Sequence, residues 1–183
     1  MKVLSINVGR PREIAWDGET VRTSIVKVPV AGAVRVLDVN LEGDEQSDLS
    51  VHGGPRKAVY VYPSEHYAYW RDQLAAAELS WGAFGENLTT EGLIESTVHV
   101  GDRLTIGSAE FVVTQPRMPC FKLTIRFRRP DMIKRFVTSG RSGFYLAVSR
   151  EGVVAPGDSI ALAPHDPRGA SIAEMFRSQA KNG

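Results

Sequence analysis

Cysteine is almost missing from this 183-residue chain, where Cys120 stands alone. A single cysteine excludes an intramolecular disulfide, argues against a structural zinc site, which needs about four N or S ligands, and fits a reducing compartment. Charge of one sign is also lacking. Lys and Arg number 22 against 21 Asp and Glu, a net charge of +1. No global field therefore demands nucleic acid or an anionic membrane. Long apolar runs are absent too. No stretch approaches the roughly 20 residues of a membrane span. The run within Met1–Arg10 is too short for a signal peptide, so the expected location is cytoplasmic, with no membrane partner. Familiar catalytic devices are missing: there is no P-loop, no G-x-S-x-G elbow, no H-E-x-x-H and no Rossmann fingerprint.

What is present is ordinary for a globular protein. Hydrophobic residues make up 43% and charged residues 23%. The length suits one domain, or one domain with a short appendage, and buries a core without staples. Most of the chain reads as short strands broken by turn residues. Val3–Val8 is a strand ended by Gly9-Arg10-Pro11. Val21–Val30 and Ala33–Val39 read as a hairpin about Ala31-Gly32. Glu42–Asp48 reads as a solvated acidic loop, and Lys57–Tyr62 as a buried strand. Pro63 is expected to open a helix whose Tyr67, Trp70, Leu74 and Ala77 pack on the core.

Val98–Ile106 and Glu110–Thr114 form a second hairpin near Gly107-Ser108. Asp131 is placed to cap a short helix bearing Met132, Ile133, Phe136 and Val137, and Gly143–Ser149 and Ser159–Leu162 close the set of strands. After Ala163 the composition turns to proline, glycine and polar residues. One helix capped by Ser171 fits there, carrying Ile172, Met175 and Phe176. There is one faint echo. Val98–Leu104 and Val154–Ile160 both place a Gly-Asp turn before a strand, either a common turn dipeptide or two equivalent strands of a barrel. This pattern predicts a mainly β protein, barrel or sandwich, with peripheral helices.

Chemistry concentrates in three segments. Gln115-Pro116-Arg117-Met118-Pro119-Cys120-Phe121-Lys122 fixes the cysteine in stiff, non-helical chain, since proline restricts itself and its predecessor. A lone cysteine is most often buried and inert. Here Arg117 and Lys122 favour the thiolate, the form that attacks electrophiles or binds metals. Val51-His52-Gly53-Gly54-Pro55-Arg56-Lys57 has two glycines that let backbone approach a bulky ligand and offer N–H groups to an anion, or that simply form a turn. Gly85-Glu86-Asn87-Leu88-Thr89-Thr90 is a turn leading into a strand, with Asn87 and Thr89 on one face. Arg117–Arg141 is the basic part of the chain, with Asp131 as its one acidic residue. A solvated helix face accounts for most of those cations.

The order VHGG, GENLTT, QPRxPC resembles the MOSC domain, the module named for the C-terminal part of molybdenum-cofactor sulfurases, and within it the small YiiM-like branch. The resemblance runs from about Val3 to Leu162 and divides the chain into a domain over 1–162 and a short tail with one helix over 163–183. It implies a MOSC-type β-barrel, like the β-barrel domain of pyruvate kinase, with helices at its periphery. It implies a molybdenum cofactor (Mo-molybdopterin), with the Cys120 sulfur as protein ligand to molybdenum and the pterin dithiolene supplying other sulfurs. His52, Gly53, Gly54, Glu86, Asn87 and Thr89 then meet the pterin. Lys57, Arg117, Lys122, Arg141 and Ser142 meet its phosphate or the metal site.

The activity implied is reduction of N-hydroxylated substrates: N-hydroxylaminopurines, amidoximes or hydroxamic acids. Electrons come from an external reductase, because the chain carries no flavin or iron–sulfur motif. Two other readings stand beside it. One is a carrier of persulfide sulfur or of the cofactor, without turnover. The other is a binding module that uses the basic segment for nucleic acid, which the near-neutral charge disfavours. Related YiiM-like chains carry a small helical bundle at the C-terminus, and here the appendage is abbreviated.

Overall fold

A computed structural model describes residues 1–47, 53–75, 79–166 and 169–182. Among the described residues twelve strands and four α-helices follow in the order β1 (Lys2–Val8), β2 (Arg12–Trp16), β3 (Glu19–Thr23), β4 (Val28–Val30), β5 (Val34–Val36), β6 (Val59–Pro63), α1 (His66–Leu74), β7 (Leu88–Glu91), β8 (Arg103–Ile106), β9 (Ala109–Pro116), α2 (Phe121–Phe127), α3 (Met132–Ser139), β10 (Phe144–Arg150), β11 (Gly152–Val154), β12 (Ile160–Ala163) and α4 (Ile172–Asn182). Eight strands form one sheet in the order β12-β8-β9-β10-β6-β7-β1-β4. Every pairing in it is antiparallel except β6 with β7, which α1 connects in a crossover.

The expected barrel is not found closed among the described residues; β12, at one end of the sheet, approaches β1, the strand next to the other end. Lys2 bridges Ser159 just before β12. The Val3 N–H donates to the Asp158 carbonyl at 2.9 Å, and the Ile160 N–H to the Met1 carbonyl at 3.0 Å. Among the described residues one isolated bridge and two backbone bonds span this seam, and no strand ladder closes the sheet. The fold is mainly β with peripheral helices, as the sequence pattern predicts.

β6 explains how the site is placed. Its side chains alternate between two cores. Val59 and Val61 join Val3, Ile6, Leu88, Phe111, Phe144 and Leu146 in an aliphatic cluster. Tyr60 and Tyr62 face the other way, into an aromatic cluster with Tyr67, Trp70, Phe84 and Phe136. That two-sided burial is why Lys57–Tyr62 reads as an unbroken apolar run.

Several sequence expectations are corrected. Ala31-Gly32 joins no hairpin: β4 pairs with β1, and β5 with β11. The early hairpin is β2–β3, and its turn, Asp17-Gly18, has φ of 53° and 81°. Two positive φ values at an Asp-Gly pair are the signature of a turn that matches strand twist. Pro63 ends β6, and α1 begins at His66. Asp131 makes no capping bond; its carboxylate accepts from Arg135 Nε at 2.6 Å and Arg129 Nε at 3.3 Å instead. Asp44, expected in solvent, is buried. Asp48, His52 and Ala77 lie outside the described residues.

Other expectations hold. β8 and β9 form the second hairpin. Ser171 caps α4 reciprocally: its N–H donates to Glu174 Oε2 at 2.8 Å, and the Glu174 N–H donates to its Oγ at 3.3 Å. The Gly-Asp echo is a shared device. Asp102 accepts from the His99 N–H and Asp158 from the Ala155 N–H, each at 2.8 Å. The strands that follow, β8 and β12, pair with each other.

Candidate active site

The three sequence segments converge on one cleft. Gly53, Lys57, Asn87, Arg117, Cys120 and Lys122 line it, with Tyr60 of β6, Tyr145 of β10, and the link between β3 and β4. The cleft is open, with about 630 Å³ of empty space when the solvent at its mouth is counted. Its walls come from segments far apart in sequence, so sheet topology alone assembles it.

Close backbone approach shapes the wall. At Gly85, where φ is +82°, an added Cβ would sit 3.0 Å from Ile25 Cγ1. At Gly9 it would meet the Val26 carbonyl oxygen at 2.5 Å and Lys27 Cγ at 3.2 Å. Both positions need glycine so that Ile25–Lys27 can be clamped against β1 and the loop before β7.

Cys120 lies half-buried in extended conformation (φ −129°, ψ 169°) immediately before α2. Three residues earlier, Arg117 is buried at 5% exposure. Its guanidinium carbon lies 5.5 Å from the Tyr60 ring centre and 5.1 Å from that of Phe136. The Tyr145 and Cys120 side chains lie close enough to favour its charge. Its Nη1 is buried with no hydrogen-bond partner, and no carboxylate pairs with it among the described residues. Lys122, on α2, is also buried and has no ion-pair partner among the described residues. Burial pushes the hydroxyl pKa values of Tyr60 and Tyr145 above the usual tyrosine value, so both stay protonated.

The remaining expected residues take other places. Glu86 is fully buried behind the wall, accepting from Tyr67 Oη, from the N–H of Gly82 at 2.8 Å and of Phe84 at 3.1 Å, and from Thr89 Oγ1 at 2.9 Å. Thr89 in turn accepts from Asn7 Nδ2 at 3.1 Å. Asn87 reaches the lining, but its amide is engaged by the Tyr60 N–H and by Asp44 Oδ2. The Gly54 N–H donates to Gln46 Oε1 at 2.9 Å. Arg141 lies 3.8 Å over the Tyr69 ring, and Ser142 Oγ donates to the Gly143 carbonyl. His52 is outside the described residues.

Sequence reasoning missed Lys27 and Asp44. They form a buried ion pair on the cleft wall, with 8% and 3% side-chain exposure. The available signal was a lysine inside the β-branched run Val21–Val30.

Among the described residues no cluster of three or more His, Cys, Asp or Glu could hold a metal ion. The cleft instead offers one soft sulfur, an orphaned buried guanidinium nitrogen and buried ammonium groups. That donor set fits an anionic group that brings most of a metal's ligands itself.

Comparison with known proteins agrees with the geometry. The chain is 44% identical over 170 residues to YflK of Bacillus subtilis, covering 93% of this chain and 76% of that one. It is 35% identical over 163 residues to a protein of Gibberella moniliformis named reductase, covering 87% of this chain and 29% of that protein. The crystal structure of YiiM from Geobacillus stearothermophilus superposes with a TM-score of 0.81 at 36% identity, covering 99% of this chain and 84% of that one. The family model for the MOSC domain matches residues 48–161, the stretch that carries Gly53, Asn87, Arg117 and Cys120 to the cleft, and the chain belongs to that family.

Proposed function

We propose that this protein is an oxidoreductase that binds the molybdenum cofactor in this cleft and reduces N-hydroxylated compounds. The observation that supports it is Cys120 facing the same cleft as the orphaned Arg117 Nη1. A buried guanidinium without a carboxylate is costly unless an anion completes it. Arg117, with Lys122 and Lys57, would hold the anionic parts of the cofactor, and Cys120 would give its sulfur to molybdenum. When bound, that group supplies the two-electron reduction of an N–O bond. The protein positions it, excludes water and supplies protons.

Electrons come from an external reductase. One cysteine cannot anchor a four-cysteine iron–sulfur cluster. The relative named reductase supports oxidoreductase chemistry in this family.

The test is purification from a host that makes the cofactor, with molybdenum and pterin counted per chain beside Cys120→Ser. Near-stoichiometric metal in the wild type and its loss in the folded variant are expected, with turnover of an aryl amidoxime following the metal. A wild type that carries a persulfide on Cys120 and no molybdenum would assign the chain to sulfur transfer instead.

A further inference from the structure

Lys27 is a buried cation of the cleft that is held by a carboxylate. It leaves the irregular link between β3 and β4, packs its stem on Gly9 and ends at Asp44. Asp44 is itself clamped: Oδ1 accepts the Gly9 N–H at 2.8 Å, and Oδ2 accepts Asn87 Nδ2 at 2.8 Å. The ammonium has three N–H groups. Asp44 is its acceptor among the described residues, and no other protein acceptor engages it there. A buried ion pair made only for stability would be better replaced by apolar packing. A pinned, desolvated ammonium with spare protons on a ligand cleft is a donor awaiting an acceptor.

We propose that Lys27, oriented by Asp44, donates a proton to the oxygen that leaves the N-hydroxylated substrate. This rests on the reading given under Proposed function. The balance is R–NH–OH + 2e⁻ + 2H⁺ → R–NH₂ + H₂O. The N–O bond breaks, and the external reductase supplies both electrons. Lys27 Nζ gives one proton, solvent gives the other, and water then reprotonates Lys27.

The environment suits a proton donor. Burial lowers the Lys27 pKa below the ordinary lysine value, while Asp44 and Glu86 oppose that shift. The other ionisable groups on the cleft are Glu45, Lys57, Arg117, Cys120, Lys122 and the two tyrosines. A lysine tuned downward gives up its proton more readily near neutral pH.

The experiment compares cofactor-loaded wild type, Lys27→Met and Lys27→Arg on an aryl amidoxime, with molybdenum and pterin measured in each. The expected result is unchanged loading, KM within about threefold, and kcat lower by roughly 100-fold or more in Lys27→Met. The wild-type rate falls as pH rises through the Lys27 pKa. In Lys27→Arg the rate falls and that limb disappears, because a guanidinium stays protonated across the range and gives its proton up poorly. An independent readout is NMR of the ¹³C-dimethylated protein, where the resonance missing from Lys27→Met titrates below the ordinary lysine value.

Lys27→Met turning over within threefold of wild type overturns the inference and leaves the proposed function standing. Loss of molybdenum from Lys27→Met overturns it too, making Lys27 a cofactor ligand. If Lys27→Met fails to fold, persistence of the high-pH limb in Lys27→Arg overturns it. A wild type that binds no molybdenum overturns both readings together.

Discussion

A single guanidinium shows how one residue exchanges stability for binding. Arg117 lies in an aromatic slot with one nitrogen unsatisfied. Desolvating the charge costs energy, and two ring contacts return about 0.5–2 kcal/mol each. Replacing it with an apolar side chain of similar length gives up the ring contacts but recovers the desolvation. Arg117→Met should therefore leave the stability of the cofactor-free protein within about 1 kcal/mol of wild type. The same variant should lose retained molybdenum and pterin. Denaturant melts beside metal analysis check this, and a large loss of stability would mean the arginine is needed for the fold.

At the scale of the element, the loop before β7 closes on Glu86. Its carboxylate gathers two backbone N–H groups and two hydroxyls, so the motif's acidic residue builds the wall behind the cleft. In Glu86→Gln one oxygen still accepts, but the amide nitrogen meets the Phe84 N–H. That donor–donor conflict should cost about 1–3 kcal/mol. Burial raises the Glu86 pKa, with the hydrogen bonds pulling it partly back. A group raised in the folded state binds its proton more tightly there than when unfolded. Its contribution is complete below the unfolded value, about 4.3, and is lost as pH rises through the folded one. Urea melts should show the wild-type advantage over Glu86→Gln largest near pH 4 and narrowing as pH rises through that window.

Across the whole molecule, α4 joins the two cores. Ile172 enters the aliphatic cluster and Phe176 the aromatic one, its ring 6.5 Å from that of Phe136. Phe136 also forms one side of the Arg117 slot, so the C-terminal helix buttresses the cleft floor at one remove. Phe176→Ala should cost about 3–5 kcal/mol in thermal or denaturant unfolding. A cost under 1 kcal/mol would show that the helix is only peripheral.

Local sequence alone is enough for the strand-rich class, the β8–β9 hairpin, the capped C-terminal helix and the three segments that reach one cleft. These are local matters: alternation, turn chemistry and capping are settled within a few residues. It misplaced the early hairpin because Val21–Val30 has the β-branched content of one strand. Only tertiary pairing decides that its ends serve different sheets. It missed Lys27 and Asp44 for a related reason. The lysine inside a β-branched run is the one local sign, and it does not name its partner 17 positions away. Tertiary structure also turned Glu86 and Thr89 inward, because the carboxylate finds four donors there and burial without them would be costly. The pairing order of the sheet brings Lys27, Asp44, Asn87, Arg117 and Cys120 around one cleft. Long-range pairing of that kind is written in no single stretch of the chain.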